Sequence, residues 1–156
     1  MEIFEIVTDK LYQRGAPEDV GEWQSVLALK IDVVLDLFGT LDPGVPTAPN
    51  SILYMFWPIE DHPQLPDVQI MNILVDTIVR LIQAGHKVLV HCHKGKSRSG
   101  MINALVVRQL HGISGADAVD LVRQQRPGSL GNQVFATYVQ GLAAPAAPAP
   151  ATAPPT

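Results

Sequence analysis

One stretch limits the architecture of this chain more than any other: residues 87–112, KVLVHCHKGKSRSGMINALVVRQLHG. Val88, Leu89 and Val90 form a short apolar run of the kind buried on both faces of a parallel sheet. The ten residues from His91 to Gly100 then hold two histidines, two lysines, an arginine, two serines and the only cysteine of the chain, with no acid among them. No breaker interrupts SGMINALVVRQLHG until Gly112, so a helix is predicted to open as the basic loop ends. A buried strand feeding a loop and then a helix needs further strands beside it and helices above and below.

The rest of the chain supplies them. EIFEIV and LYQR read as short opening strands, and IDVVLDLF and ILYMFW as β-branched and aromatic strands. PEDVGEWQSVLALK reads as a helix, with Pro17 near its first turn and acids early, where the dipole favours them. Leu65, Val68, Met71, Val75, Ile78 and Ile82 step by three and four, which predicts a helix closed by Gly85. Ser114 and Asp117 resemble a capping box for GADAVDLVRQQR, and Ser129 or a neighbour starts a last helix through Val139. The fold class is α/β, a central, mostly parallel sheet flanked by helices on both faces. At 156 residues the chain fits one domain. That domain is expected over 1–142, followed over 143–156 by an Ala/Pro-rich tail with nothing large to bury, read as disordered or polyproline-like.

A formal net charge of −4 counts against nucleic acid as a partner and makes the basic cluster a local feature that can draw an anion to one spot. No apolar stretch reaches the roughly 18 residues of a membrane span, and MEIFEIVTDK lacks the pattern of a signal peptide. A lone thiol suits a reducing compartment. The expectation is a cytoplasmic monomer.

In a strand-loop-helix unit, successive backbone N–H groups and a helix N-terminus can converge on one anion. Gly95 permits the tight path, and Arg98 adds a planar fork that matches two oxygens of a phosphate. A cysteine facing the same donors would have its thiolate stabilised, so Cys92 is the candidate nucleophile.

These residues carry a resemblance. His91, Cys92, five residues, Arg98 and Ser99 form H-C-x5-R-S, which resembles the signature of the cysteine-dependent protein tyrosine phosphatase superfamily. The fuller HCHKGKSRSG is similar to its small dual-specificity branch. LYQRGAPEDVGEW, IDVVLDL, WPIEDHPQLPD and the downstream helices stand in that family's order, over about residues 5 to 142. The resemblance implies the dual-specificity phosphatase fold and hydrolysis of phosphate monoesters, phosphotyrosine together with phosphoserine and phosphothreonine, through a phosphocysteine. It implies no metal and no cofactor; the partner is a phosphorylated protein or another phosphate monoester.

Residue by residue, it makes Cys92 the nucleophile and Arg98 the clamp on phosphate and its transition state. Asp61 is the acid that protonates the leaving oxygen, and Ser99 the hydroxyl that assists sulfur when it leaves. His93, Lys94, Gly95, Lys96 and Ser97 line the phosphate with Arg98, and His91 orders the loop and tunes the thiol by hydrogen bonding. Glu60 and Asp67 rival Asp61, but Pro58 and Pro63 suit a loop around Asp61, whereas Asp67 falls in a first helical turn where a dipole role suffices. Asp36 is expected to make a structural hydrogen bond beneath the loop. Gln133 is left outside the catalytic set, being as easily a helix-surface residue.

A zinc site built from His62, His91, Cys92 and His93 lacks the paired ligand spacing such sites prefer. Two alternatives stay open: a phosphoinositide or other small-molecule phosphatase on the same site, towards which Lys94 and Lys96 would point, and a catalytically silent phosphate-binding module.

Overall fold

The computed structural model describes residues 1–146, so the expected tail lies, apart from its first residues, outside the described residues. In chain order the elements are β1 (Phe4–Val7), β2 (Leu11–Gly15), α1 (Val20–Ala28), β3 (Val33–Asp36) and β4 (Leu53–Phe56). Then come α2 (Val68–Gln83), β5 (Val88–Cys92), α3 (Ser97–His111), α4 (Gly115–Gln125) and α5 (Gln133–Gln140). The five strands form one sheet in the order β1-β2-β5-β3-β4. β1 pairs antiparallel with β2 at one edge, and every other pairing is parallel. This is the mostly parallel α/β sheet that the alternation of strand and helix patterns predicts.

β5 is central, and its two faces serve different layers because side chains alternate along a strand. Val88, Val90 and Cys92 join the larger core, built with Met71, Val75 and Ile78 of α2, Ile102 and Val106 of α3, Val119 and Val122 of α4 and Phe135 and Val139 of α5. Leu89 turns the other way, into a smaller core with Trp23 and Val26 of α1. Helices therefore cover both faces, four on one side and α1 on the other. Each fully buried Val, Leu or Ile contributes about 1.5–3 kcal/mol relative to exposure, and β5 places three of them at no measurable exposure.

Three helix starts differ from the sequence reading. α1 begins after Pro17, because the Asp19 carboxylate accepts from Glu22 N at 2.9 Å and caps the helix there. Asp67 is the N-cap of α2, accepting from Ile70 N at 3.0 Å, and is not inside the first turn. α5 is capped by Asn132, not by Ser129. In each case one polar side chain satisfies otherwise orphaned N–H groups, a choice that apolar periodicity does not encode.

β2, β3, β4 and β5 run parallel, so the segments that follow their C-terminal ends gather at one edge of the sheet. Residues 16–19, the first residues after Asp36, 57–67 and 93–96 meet there. That is the position at which open α/β sheets bind ligands.

Candidate active site

The basic loop is Cys92 to Lys96, between the end of β5 and the first turn of α3. The helix starts at Ser97, two residues earlier than the breaker-free run suggests, so Arg98 and Ser99 are already in its first turn. Cys92 is 2% exposed, with its Sγ 3.3 Å from the hydroxyl of the buried Ser99.

The loop owes its shape to its carbonyls. His93 O accepts from Ala16 N at 3.1 Å, and Gly95 O accepts from Gln13 Nε2 at 3.0 Å. Lys96 O accepts from Gly100 N at 3.2 Å and Leu130 N at 3.1 Å. All three carbonyls are thus tied to groups outside the loop. In a trans peptide the following N–H points opposite to the carbonyl, so the N–H groups of Lys94, Lys96 and Ser97 turn towards the hollow of the loop. Gly95 has φ +65°, and a Cβ there would lie 2.3 Å from the carbonyl carbon of Arg14. The loop rests directly on the end of β2.

Gln13, fully buried, is the strut of this arrangement. Besides Gly95 O it donates to Ser129 Oγ at 2.9 Å, and its own Oε1 accepts from Asn103 Nδ2 of α3 at 3.0 Å. The sequence reading did not single out Gln13 or Asn103. A glutamine inside LYQRG, where every residue of the strand is buried, was the available signal, since a buried polar side chain must find partners.

Arg98 is half-buried. Its Nη1 donates to Ile59 O at 3.1 Å, tethering the loop that bears Asp61, while its buried Nε has no partner among the described residues. An orphaned guanidinium donor is what an oxyanion would satisfy. Arg98 and Asp61 line one open cleft of about 610 Å³ together with Phe38, Pro58, Ile59 and His62. Asp61 Oδ1 accepts from Asn132 Nδ2 at 2.9 Å, and the same Nδ2 donates to His62 O at 2.8 Å. Asn132 N donates to Ser97 Oγ at 3.2 Å, so this one asparagine joins the start of α3, the acid loop and α5. An asparagine just ahead of an apolar helix is the N-cap signal that could have found it.

The other candidates differ. Glu60 lines the same cleft as Arg98 and Asp61, is 81% exposed and pairs with His62 at 3.3 Å. Lys94 and Lys96 are exposed, Lys96 lying along Gly128. Gln133 bonds Thr137 Oγ1 on its own helix at 3.2 Å, away from the cleft. His93 stacks on Phe38, with ring centroids 4.6 Å apart and planes 6° from parallel.

His91 shares the register row Arg14, His91, Asp36 across β2, β5 and β3, and alternation turns it to the sheet face opposite Cys92. Its Nε2 lies 2.6 Å from Asp42 Oδ2, both residues being buried, so it braces the loop through the backbone and not by touching the thiol. Asp42 went unnoticed because it sits in the turn-like sequence LDPG, where an aspartate needs no further explanation. Asp36 makes the expected structural bonds, accepting from Phe38 N at 2.7 Å and from the Tyr54 hydroxyl. Asp36, Asp42 and His91 are the one group among the described residues spaced closely enough to ligate a metal.

Burial raises the Asp36 carboxyl above the usual range, with the Tyr54 bond and the nearby His91 opposing. A carboxyl raised in the folded state contributes stability that is present below its unfolded pKa and lost as pH rises through the folded one. Wild type is therefore expected to lose unfolding free energy over that rise. Asp36→Asn should flatten that part of the stability curve, measured by urea denaturation at stepped pH; an unchanged slope would show that Asp36 is not its source.

Residues 12–140 match the family model described as "Dual specificity phosphatase, catalytic domain". Among curated proteins, the chain is 29% identical over 123 residues to a probable rhodanese domain-containing dual specificity protein phosphatase of Dictyostelium discoideum, covering 78% of this chain and 25% of that one. It is 31% identical over 97 residues to dual specificity protein phosphatase 1 of Arabidopsis thaliana, covering 62% of this chain and 49% of the relative. The chain thus spans half or less of the length of these relatives. The crystal structure of human DUSP28 superposes with a TM-score of 0.74 at 21% identity, over 88% of this chain and 90% of that chain, a likeness of fold.

Proposed function

Since the chain belongs to the dual specificity phosphatase catalytic-domain family, we propose that it hydrolyses phosphate monoesters, phosphotyrosine together with phosphoserine and phosphothreonine, in two steps at Cys92. The observation that carries this is the contact of a buried Cys92 Sγ with Ser99 Oγ at the base of a loop whose His93, Gly95 and Lys96 carbonyls are bonded to groups outside it, together with an Arg98 Nε that lacks a partner among the described residues.

In the first step the Cys92 thiolate attacks phosphorus while the ester P–O bond breaks and Asp61 gives its proton to the departing oxygen. Arg98 and the N–H groups of Lys94, Lys96 and Ser97 hold the three equatorial oxygens, whose charge is stabilised without reorganisation because the carbonyl ties fix the loop. In the second step Asp61, now a carboxylate, takes a proton from water; water oxygen bonds phosphorus, the S–P bond breaks, and Ser99 donates a hydrogen bond to the leaving sulfur. The Arg98–Ile59 bond keeps the acid loop over the phosphate. An open cleft supports a permissive site that accepts both aryl and alkyl phosphates.

The remaining proposals follow from the same reading. Residues 1–142 form the catalytic unit and 143–156 a tail. One chain supplies every site residue, which supports a monomer, and a single reactive thiol supports a cytoplasmic setting. Asp61→Asn tests the acid. An alkyl phosphate depends on protonation of its leaving oxygen far more than an activated aryl ester does. Turnover of the alkyl ester should fall about 10²–10⁴-fold and that of the activated ester much less. Equal losses on both esters would remove Asp61 from the acid role.

A further inference from the structure

Phe38 lines a second groove besides the cleft over Arg98. This groove, of about 240 Å³, has apolar walls from Ala16, Pro17 and Pro43, the His93 ring at one side, and two carboxylates, Glu18 and Asp42. The stacked pair of Phe38 and His93 is the partition: Arg98 lies 5.8 Å from the Phe38 ring, and His93 is the residue after Cys92. The two sites are therefore about one side chain apart. The first is lined by Arg98 together with Glu60 and Asp61, and the second by Glu18 and Asp42 with no lysine or arginine.

The acids differ in what they can offer. Asp42 is buried and its Oδ2 is bonded to His91, so it lends negative potential to the groove from within its wall. Glu18 is exposed, and its carboxylate has no hydrogen bond or ion pair among the described residues, because the nearby cations Arg14 and the N-terminal ammonium are both taken by Glu22. An apolar channel ending at an unpaired carboxylate suits a side chain with a long aliphatic stem and a cationic head. A tethered arrangement adds to this, since a phosphate held in the first site brings its neighbouring residue to the second at high effective concentration.

We propose that this groove is a specificity subsite that takes a lysine or arginine of a phosphopeptide beside its phosphorylated residue, with Glu18 as the pairing group. The inference rests on phosphate binding at Arg98, but not on turnover. Binding by the Cys92→Ser protein keeps the two separable. Phosphotyrosine peptides with a single arginine stepped through the residues on either side are compared by calorimetry with the same peptides carrying glutamate there. At one position arginine should bind roughly three- to tenfold more tightly, with the preference shrinking as salt is raised. Glu18→Gln should bring the ratio close to unity and Glu18→Lys should reverse it, a change of sign that a loss of folding cannot produce. Equal affinities at every position in wild-type sequence, or a preference that survives Glu18→Lys, overturns the proposal, while binding of the phosphopeptides themselves leaves the phosphate-site reading intact.

Discussion

Cys92→Ser is expected to lower turnover of an aryl phosphate by at least about 10⁴-fold, which at 1.36 kcal/mol per tenfold is about 5.5 kcal/mol on the barrier. The physical reason is the proton. A serine hydroxyl keeps its proton near neutrality and has no general base bonded to it: the hydrogen-bond partner of Cys92 Sγ is another hydroxyl, Ser99 Oγ, and His91 is on the far face of the sheet. The substitution changes one buried atom and leaves Arg98, the loop N–H groups and their carbonyl ties in place. Affinity for a phosphopeptide should therefore persist while hydrolysis stops. Turnover surviving within tenfold of wild type would place the nucleophile elsewhere.

Gly95→Ala should damage the same site by a different route. Alanine at φ +65° costs about 1–2 kcal/mol of backbone strain on its own. In addition, the new methyl would meet the backbone of Arg14 and Gly15, which is fixed in β2 by its pairing with β5. Neither strand can yield without breaking sheet hydrogen bonds, so the loop must lift. The Gln13 bond to Gly95 O is lost and the N–H groups leave their positions. We expect kcat/KM to fall at least about 10²-fold, as displacements of about 1 Å do in preorganised sites. Gly85→Ala is the control: its φ is +97°, but the added Cβ meets open space, so stability drops without a change in phosphate affinity. If Gly95→Ala bound phosphopeptide as tightly as wild type, the close packing of loop on strand would have no part in the site.

What could be read in the chain was whatever is local or periodic. The apolar run of β5, the stepping of three and four along α2, and the spacing of Cys92, Gly95, Arg98 and Ser99 all lie within one element or one loop. For such features sequence separation and spatial separation are the same thing. The predicted fold class follows from them, because strands alternating with helices have few ways to bury one apolar face each. Boundaries were less legible: Asp19, Asp67 and Asn132 each set a helix start through a single hydrogen-bonding side chain.

Tertiary structure alone decided what holds the loop and what surrounds it. Gln13 reaches Gly95 across 82 residues of chain, Asp42 reaches His91 across 49, and Asn132 reaches Asp61 across 71. A lone polar side chain leaves no periodic trace, and its partner is fixed only when the strands pair in register and bring distant ends to one edge of the sheet. The groove by Glu18 has the same origin, since Pro17, Phe38, Pro43 and His93 meet only because the segments after β2, β3 and β5 emerge side by side. The sequence determined the proposed reacting groups, because their chemistry lies in their kinds and spacing; the fold decided their supports and neighbours, because those depend on contacts between parts of the chain far apart in order.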